Sequence, residues 1–62
     1  MQVLDQDNLG GHGDDFYEML MKAHEGLSTE ESHALNARLV LLMANSIGDL
    51  KTLAALIKRA RD

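Results

Sequence analysis

The chain has 62 residues, contains neither cysteine nor proline, and carries a formal charge of −4 at pH 7. A chain this short hides only about 60% of the surface that its unfolded form exposes, so it needs regular helix packing or oligomerisation to be stable. The lack of cysteine excludes disulfides, thiolate metal sites and cysteine catalysis. The acidic balance argues against broad electrostatic binding to nucleic acid or to an anionic membrane.

The composition favours helices over strands. Alanine, leucine, methionine and charged helix formers are plentiful, whereas phenylalanine and tyrosine occur once each. The longest apolar run, LVLLMA, has six residues, far fewer than the roughly 20 that span a bilayer. The first residues, MQVLDQDNLGGHG, lack the basic start and apolar core of a signal peptide. We therefore expect an all-α cytoplasmic protein with no membrane partner.

Residues 1–13 are predicted to form a flexible N-terminal arm ahead of a single small helical domain over residues 14–62. Three glycines near the end of the arm raise the entropy cost of any fixed conformation there. No internal repeat accompanies this division. The sequence therefore predicts one domain, with all three of its helices after residue 13.

The first helix is predicted to run from about residue 14 to about residue 25. Asp14 suits the N-cap position, and Gly26 suits the left-handed residue that follows a helix. Polar residues occupy one side of this helix, which makes it amphipathic. Its apolar side holds Phe16, Tyr17, Met19, Leu20, Ala23 and His24.

The stretch Ser28-Thr29-Glu30-Glu31 predicts the start of a second helix, over about residues 29–47. It has the pattern of a capping box, in which the first serine and the last glutamate bond to each other's backbone amides. Gly48 either ends this helix or only kinks a longer one. If Gly48 ends it, Asp49 suits the N-cap of a third helix over about residues 50–61.

The second helix contains the densest apolar stretch of the chain, LNARLVLLMAN (residues 35–45). Apolar residues lie almost all the way round this helix, which is typical of a buried helix. Two short neighbours cover only two of its faces, so an apolar patch of the kind found at interfaces remains. We predict a homodimer that completes a helical bundle, or another protein on the same face. The predicted interface residues are Leu35, Asn36, Leu39, Val40, Leu42, Met43 and Ile47.

The polar residues of this helix have several interpretations. A narrow polar strip is formed by Glu31, Arg38 and Asn45, which are spaced by seven. Three interpretations of this strip are open. It is a solvated edge; Arg38 contacts a carboxylate or helix carbonyls across the dimer; or Arg38 binds a ligand. Asn36 lies on another side among apolar neighbours, so we expect it to be buried. A buried amide needs hydrogen-bond partners and fixes the register of an interface.

The main alternative is a small metal- or ligand-binding protein. The imidazole and carboxylate groups of His12, Asp14 and Asp15, with His24, suit zinc or manganese, although their spacing matches no established cluster. The loop LGGHG lacks the lysine and the preceding strand of a phosphate-binding loop. A DNA-binding regulator of three helices is disfavoured by the acidic charge. We therefore expect no enzymatic activity, no cofactor and no nucleic-acid partner.

The strings DDFYEMLMKAHEGLS, LNARLVLLMAN and IGDL together resemble a bacterial family of very short helical proteins of unknown function. The resemblance covers residues 14 to about 61. The family has no assigned activity, so the resemblance implies no catalytic residue. It does imply an occurrence beside flavin-dependent oxidoreductases, and hence the role of a non-catalytic accessory protein to such an enzyme.

Overall fold

The computed structural model describes residues 8–62, and most of the predicted arm, residues 1–7, lies outside the described part. Three helices follow one another along the chain. They are α1 (Gly13–Ala23), α2 (Thr29–Ile47) and α3 (Leu50–Arg61). No strand occurs in the described residues. The all-α prediction with three short helices is therefore confirmed.

α1 begins one residue earlier and ends two residues sooner than predicted. Its N-cap position is His12, which makes no capping hydrogen bond with its side chain, so the prediction that Asp14 caps the helix is wrong. Asp14 and Asp15 lie in the first turn instead, where the positive end of the helix favours carboxylates. After the helix, Gly26 has a φ of +76°, which confirms the predicted left-handed residue.

The predicted capping box starts α2. The Ser28 amide donates to Oε1 of Glu31 at 2.9 Å, and the Glu31 amide donates to Oγ of Ser28 at 3.1 Å. These side chains supply acceptors to amides at the helix start that have no carbonyl partner within the helix. The start of α2 is therefore determined by four consecutive residues.

Gly48 ends α2 and does not merely kink a longer helix. Its φ is +68°, and its amide donates to the Ala44 carbonyl at 2.9 Å. Asp49 then takes an extended conformation at the N-cap position of α3, as predicted. Its carboxylate accepts a hydrogen bond from the Thr52 hydroxyl and does not cap a backbone amide.

The helices shield one another on one side but enclose no core, and none of the described residues is buried. The half-buried side chains of α1 lie four residues apart, and three of the four on α2 form a second stripe. α2 and α3 are the helices whose backbones come within 8 Å of each other in the described part. The half-buried side chains include Phe16, Leu20 and His24 before α2, Ser32, Leu35 and Leu39 on α2, and Leu53 on α3.

The single chain is more open than a compact protein of its size. Its accessible surface is 5651 Å², whereas a compact monomer of 6.8 kDa exposes about 4,000 Å². Its Cα radius of gyration is 12.9 Å, against about 10.6 Å for a compact chain of this length. In the described part, no helix is both long and apolar enough to cross a membrane. One copy therefore leaves more of its surface exposed than compact packing does.

Candidate interaction site on the central helix

The middle of α2 is exposed on nearly all sides. Val40, Leu41 and Leu42 expose 62%, 70% and 69% of their surface. Successive residues of an α-helix are rotated by about 100°, so these three apolar side chains point in three directions. A single helix packed beside α2 cannot cover all three of them.

The predicted interface residues separate into two groups. Leu35 and Leu39 are half-buried, so the chain's own fold already shields them in part. The exposed apolar members of the set are Val40, Leu42, Met43 and Ile47. Leu41 was not among the predicted interface residues, although it is 70% exposed. Its exposure adds it to the candidate site.

An exposed seam runs along α2 on a different side from Leu35 and Leu39. Its residues follow one another at spacings of four, three, four and three, as in helices that pack against each other lengthwise. Two of them are alanines, which allow close approach of a second helix. We call this set the outer seam; it consists of His33, Ala37, Val40, Ala44 and Ile47, and Ala44 alone in this set is half-buried.

All three residues of the polar strip, Glu31, Arg38 and Asn45, are exposed. Their shared exposure agrees with the interpretation of the strip as a solvated edge in the single chain. Arg38 lies next to the exposed apolar surface of Leu41 on the helical wheel. A contact of its guanidinium across a dimer stays a prediction.

Asn36 is exposed and not buried as expected, and it is hydrogen-bonded to His24. Nδ1 of His24 lies 2.7 Å from the Leu20 carbonyl oxygen and donates to it, and Nε2 lies 3.0 Å from Oδ1 of Asn36. This hydrogen bond between His24 and Asn36 joins the end of α1 to α2.

Removing the His24–Asn36 hydrogen bond is expected to loosen α1 from α2. A double-mutant cycle of His24→Ala and Asn36→Ala should give a coupling energy of about 1 kcal/mol, because both substitutions remove the same bond. Urea unfolding at one fixed protein concentration measures the four stabilities.

The same cycle with His12→Ala in place of His24→Ala is the matched control. His12 is bonded to Asp15 and not to Asn36, so these two substitutions should be additive. Additive effects of His24→Ala and Asn36→Ala would contradict a stabilising bond between them.

Two carboxylates at helix starts have lowered pKa values. The Ser28 amide, and then the Ser28 hydroxyl, hold the pKa of Glu31 below its ordinary value of 4.5. The Thr52 hydroxyl holds the pKa of Asp49 below its ordinary value of 3.8. Both side chains are exposed and lie where a helix favours negative charge. The folded state therefore favours the charged forms of both carboxylates.

We expect stability to fall on the acid side of the pKa of the unfolded carboxyl groups. Because the folded-state pKa of Glu31 is lower than the unfolded one, the unfolded chain binds protons first as the pH drops. The contribution of this group is full above about pH 4.5 and is lost as the pH falls through the lower, folded-state pKa. Thermal unfolding followed by circular dichroism from pH 7 to pH 3 measures this loss.

The variant Glu31→Gln keeps an acceptor for the Ser28 amide but cannot titrate, so its stability should depend less on acid. Glu30→Gln is the matched control, because Glu30 lies next to the capping box in the same first turn. Equal pH profiles for the two variants would show that the capping box is not the source of the acid sensitivity.

The residues considered as metal ligands are brought together only in part. Nδ1 of His12 lies 3.1 Å from Oδ2 of Asp15, and both side chains are exposed. His24 is engaged by Leu20 and Asn36. Within residues 8–62, no three histidine or acidic side chains lie together as a group able to hold a metal ion. Of the candidate ligands, the described structure therefore brings together His12 and Asp15, which form a hydrogen-bonded pair within one helical turn.

One family model matches this sequence, over residues 5–62, and its description is "Protein of unknown function (DUF2783)". The matched region includes all three helices and the capping box of α2. No curated protein and no solved structure matches the chain. The description names no activity, so the comparisons assign no functional residue to this chain.

Proposed function

The chain belongs to the DUF2783 family of proteins of unknown function, and we propose that it is a non-catalytic protein-interaction module that self-associates through α2. The observation that carries the proposal is the exposed apolar middle of that helix, Val40, Leu41 and Leu42. Contiguous apolar surface of this kind marks a binding site, because its exposure to water is unfavourable. The proposed site is a surface for another helix and not a pocket for a small molecule.

The area of exposed surface supports a second copy as the partner. The exposed apolar side chains of α2 run from Val40 to Met43 and on to Ile47, and each has 40% or more of its surface exposed. A standard interface buries about 800 Å² on each partner. Because the sequence has no cysteine for disulfides, oligomerisation is the available means of giving so small a domain a buried core.

The three directions of Val40, Leu41 and Leu42 support a bundle and not a single pair of helices. Covering all three requires α2 to lie between at least two helices of the partner. A two-fold dimer does this for both copies at once, because each α2 packs against the helices of the other copy. Leucine and valine side chains buried in this way contribute roughly 1.5–3 kcal/mol each.

Sedimentation equilibrium combined with circular dichroism tests the proposal. We expect a dimer at micromolar concentration, with helix content that falls as the protein is diluted, because folding and association are coupled. A fully helical monomer at micromolar concentration would falsify the proposal. The exposed apolar surface of α2 would then be a binding site for a different protein, such as the oxidoreductase that the family resemblance implies.

A further inference from the structure

The charges of the chain are separated along its length. Residues 13–31 contain six carboxylates and one lysine, whereas residues 38–62 contain five basic residues and two carboxylates. On α2, the carboxylates are Glu30 and Glu31 in the first turn, and no charged residue follows Arg38. One end of α2 is therefore acidic, whereas Asp49 and Lys51, just beyond the other end, carry opposite charges.

This separation distinguishes the two ways in which two α2 helices can lie side by side. In a parallel pair along the outer seam, the two acidic first turns lie side by side and Glu30 approaches its own copy, since packed helices lie 8–10 Å apart, and the two helix dipoles point the same way. In an antiparallel pair, the acidic start of one α2 lies beside the end of the other, where the charges of Asp49 and Lys51 oppose each other, so the repulsion between the two acidic ends is avoided. The separation is close to the Debye length at physiological salt, so the difference is not fully screened.

The outer seam is compatible with the antiparallel arrangement. Val40 lies at its centre, and His33 and Ile47 each lie seven residues away. Ala37 and Ala44 flank the centre at three and four residues, so the seam is nearly the same when it is read in reverse. Two seams therefore match in antiparallel orientation without a shift of more than one residue.

We infer that two copies of this chain associate with their α2 helices antiparallel along the outer seam, with the two-fold axis near Val40. This inference rests on the proposed function, because it specifies how the self-association occurs. Leu41 and Leu42 point away from the seam and contact the other helices of the partner. The interface thus combines an α2–α2 contact at the axis with flanking contacts on both sides.

Cysteine cross-linking tests the orientation, since the natural chain has no cysteine. His33→Cys and Ile47→Cys place a thiol seven residues to either side of the axis, which is about 10 Å along the helix for each. In an antiparallel dimer, two thiols at the same position are about 21 Å apart, whereas a disulfide needs Cα atoms within about 7 Å. The two variants are made with chains of different length, so that mixed and same-variant disulfides differ in mass. They are then mixed and oxidised.

Antiparallel pairing predicts a mixed disulfide between position 33 of one chain and position 47 of the other, and little disulfide within each variant alone. Disulfides within each variant, with none between them, would show a parallel pair and overturn the inference while the dimer itself stands. A dimer that forms no disulfide at all would show that the outer seams do not meet, which also overturns it. Sedimentation of the unoxidised variants as monomers would instead overturn the proposed function.

A measurement independent of the exact register uses a nitroxide on the Ile47→Cys variant. The two labels of an antiparallel dimer should lie at least about 20 Å apart, whereas those of a parallel dimer should lie side by side. The Val40→Cys variant is the matched control, because its labels lie near the axis in both orientations and should always be close. A short distance at position 47 would overturn the antiparallel arrangement.

Discussion

Val40→Asp is expected to convert the proposed dimer into a poorly folded monomer. Val40 lies at the centre of the outer seam and is 62% exposed in the single chain, so the substitution removes little contact within one copy. In the proposed dimer, the two-fold axis would place two aspartates together in an apolar contact. Loss of two buried valines alone costs about 3 kcal/mol, or roughly a hundredfold in the dissociation constant. Burial of two like charges adds to this cost.

The measurements are the mass by sedimentation and the helix content by circular dichroism. Asn45→Asp is the matched control, because it adds the same charge to the same helix on the exposed polar strip. It should leave both quantities nearly unchanged. Leu42→Asp should act like Val40→Asp if the partner surrounds α2, and it should have little effect if the outer seam alone is covered. Unchanged mass and stability for Val40→Asp would show that α2 is not the interface.

Gly48→Ala is expected to destabilise the fold by about 1–2 kcal/mol, because an L-residue with a side chain is unfavourable in the left-handed region. The φ of Gly48 is +68°, and an added Cβ would lie 3.7 Å from the Asn45 carbonyl oxygen, which is an ordinary contact. The cost therefore comes from the backbone conformation and not from crowding. For a domain this small, it is a large share of the total stability.

Gly13→Ala is the matched control for the same chemical change. Gly13 lies in the first turn of α1 without a left-handed φ, and an added Cβ would have no neighbour within 4 Å. Alanine should stabilise α1 there by about 0.5–1 kcal/mol. Urea unfolding at fixed protein concentration measures both variants. A gain in stability from Gly48→Ala would mean that α2 and α3 join into one helix when the glycine is removed.

The helix boundaries that could be predicted depend on contacts within a few residues. Ser28 and Glu31 bond to each other across three positions, and Gly48 ends α2 through its own backbone conformation. The start of α1 lies one residue before the predicted position. The helix begins after His12, and no side-chain bond marks the cap.

The sequence could predict which helix carries the candidate site, but not which of its side chains are exposed. The apolar character of α2 all the way round indicated an interface, and Val40 and Leu42 are indeed exposed in the single chain. The sequence did not reveal that Leu35 and Leu39 are half-buried, nor that Leu41 is exposed. It also placed Asn36 in apolar surroundings, whereas the structure pairs Asn36 with His24, twelve residues away.

The sequence by itself determined the class of the fold, the three helices and the apolar character of α2, because propensity, capping and periodicity act over one or two helical turns. Only the tertiary structure decided which side of α2 the chain shields and which side it leaves exposed to solvent. That choice depends on the directions in which the turns at Gly26 and Gly48 send the neighbouring helices. The periodicity of α2 does not encode those directions, so the exposed face became visible only once α1 and α3 were in place.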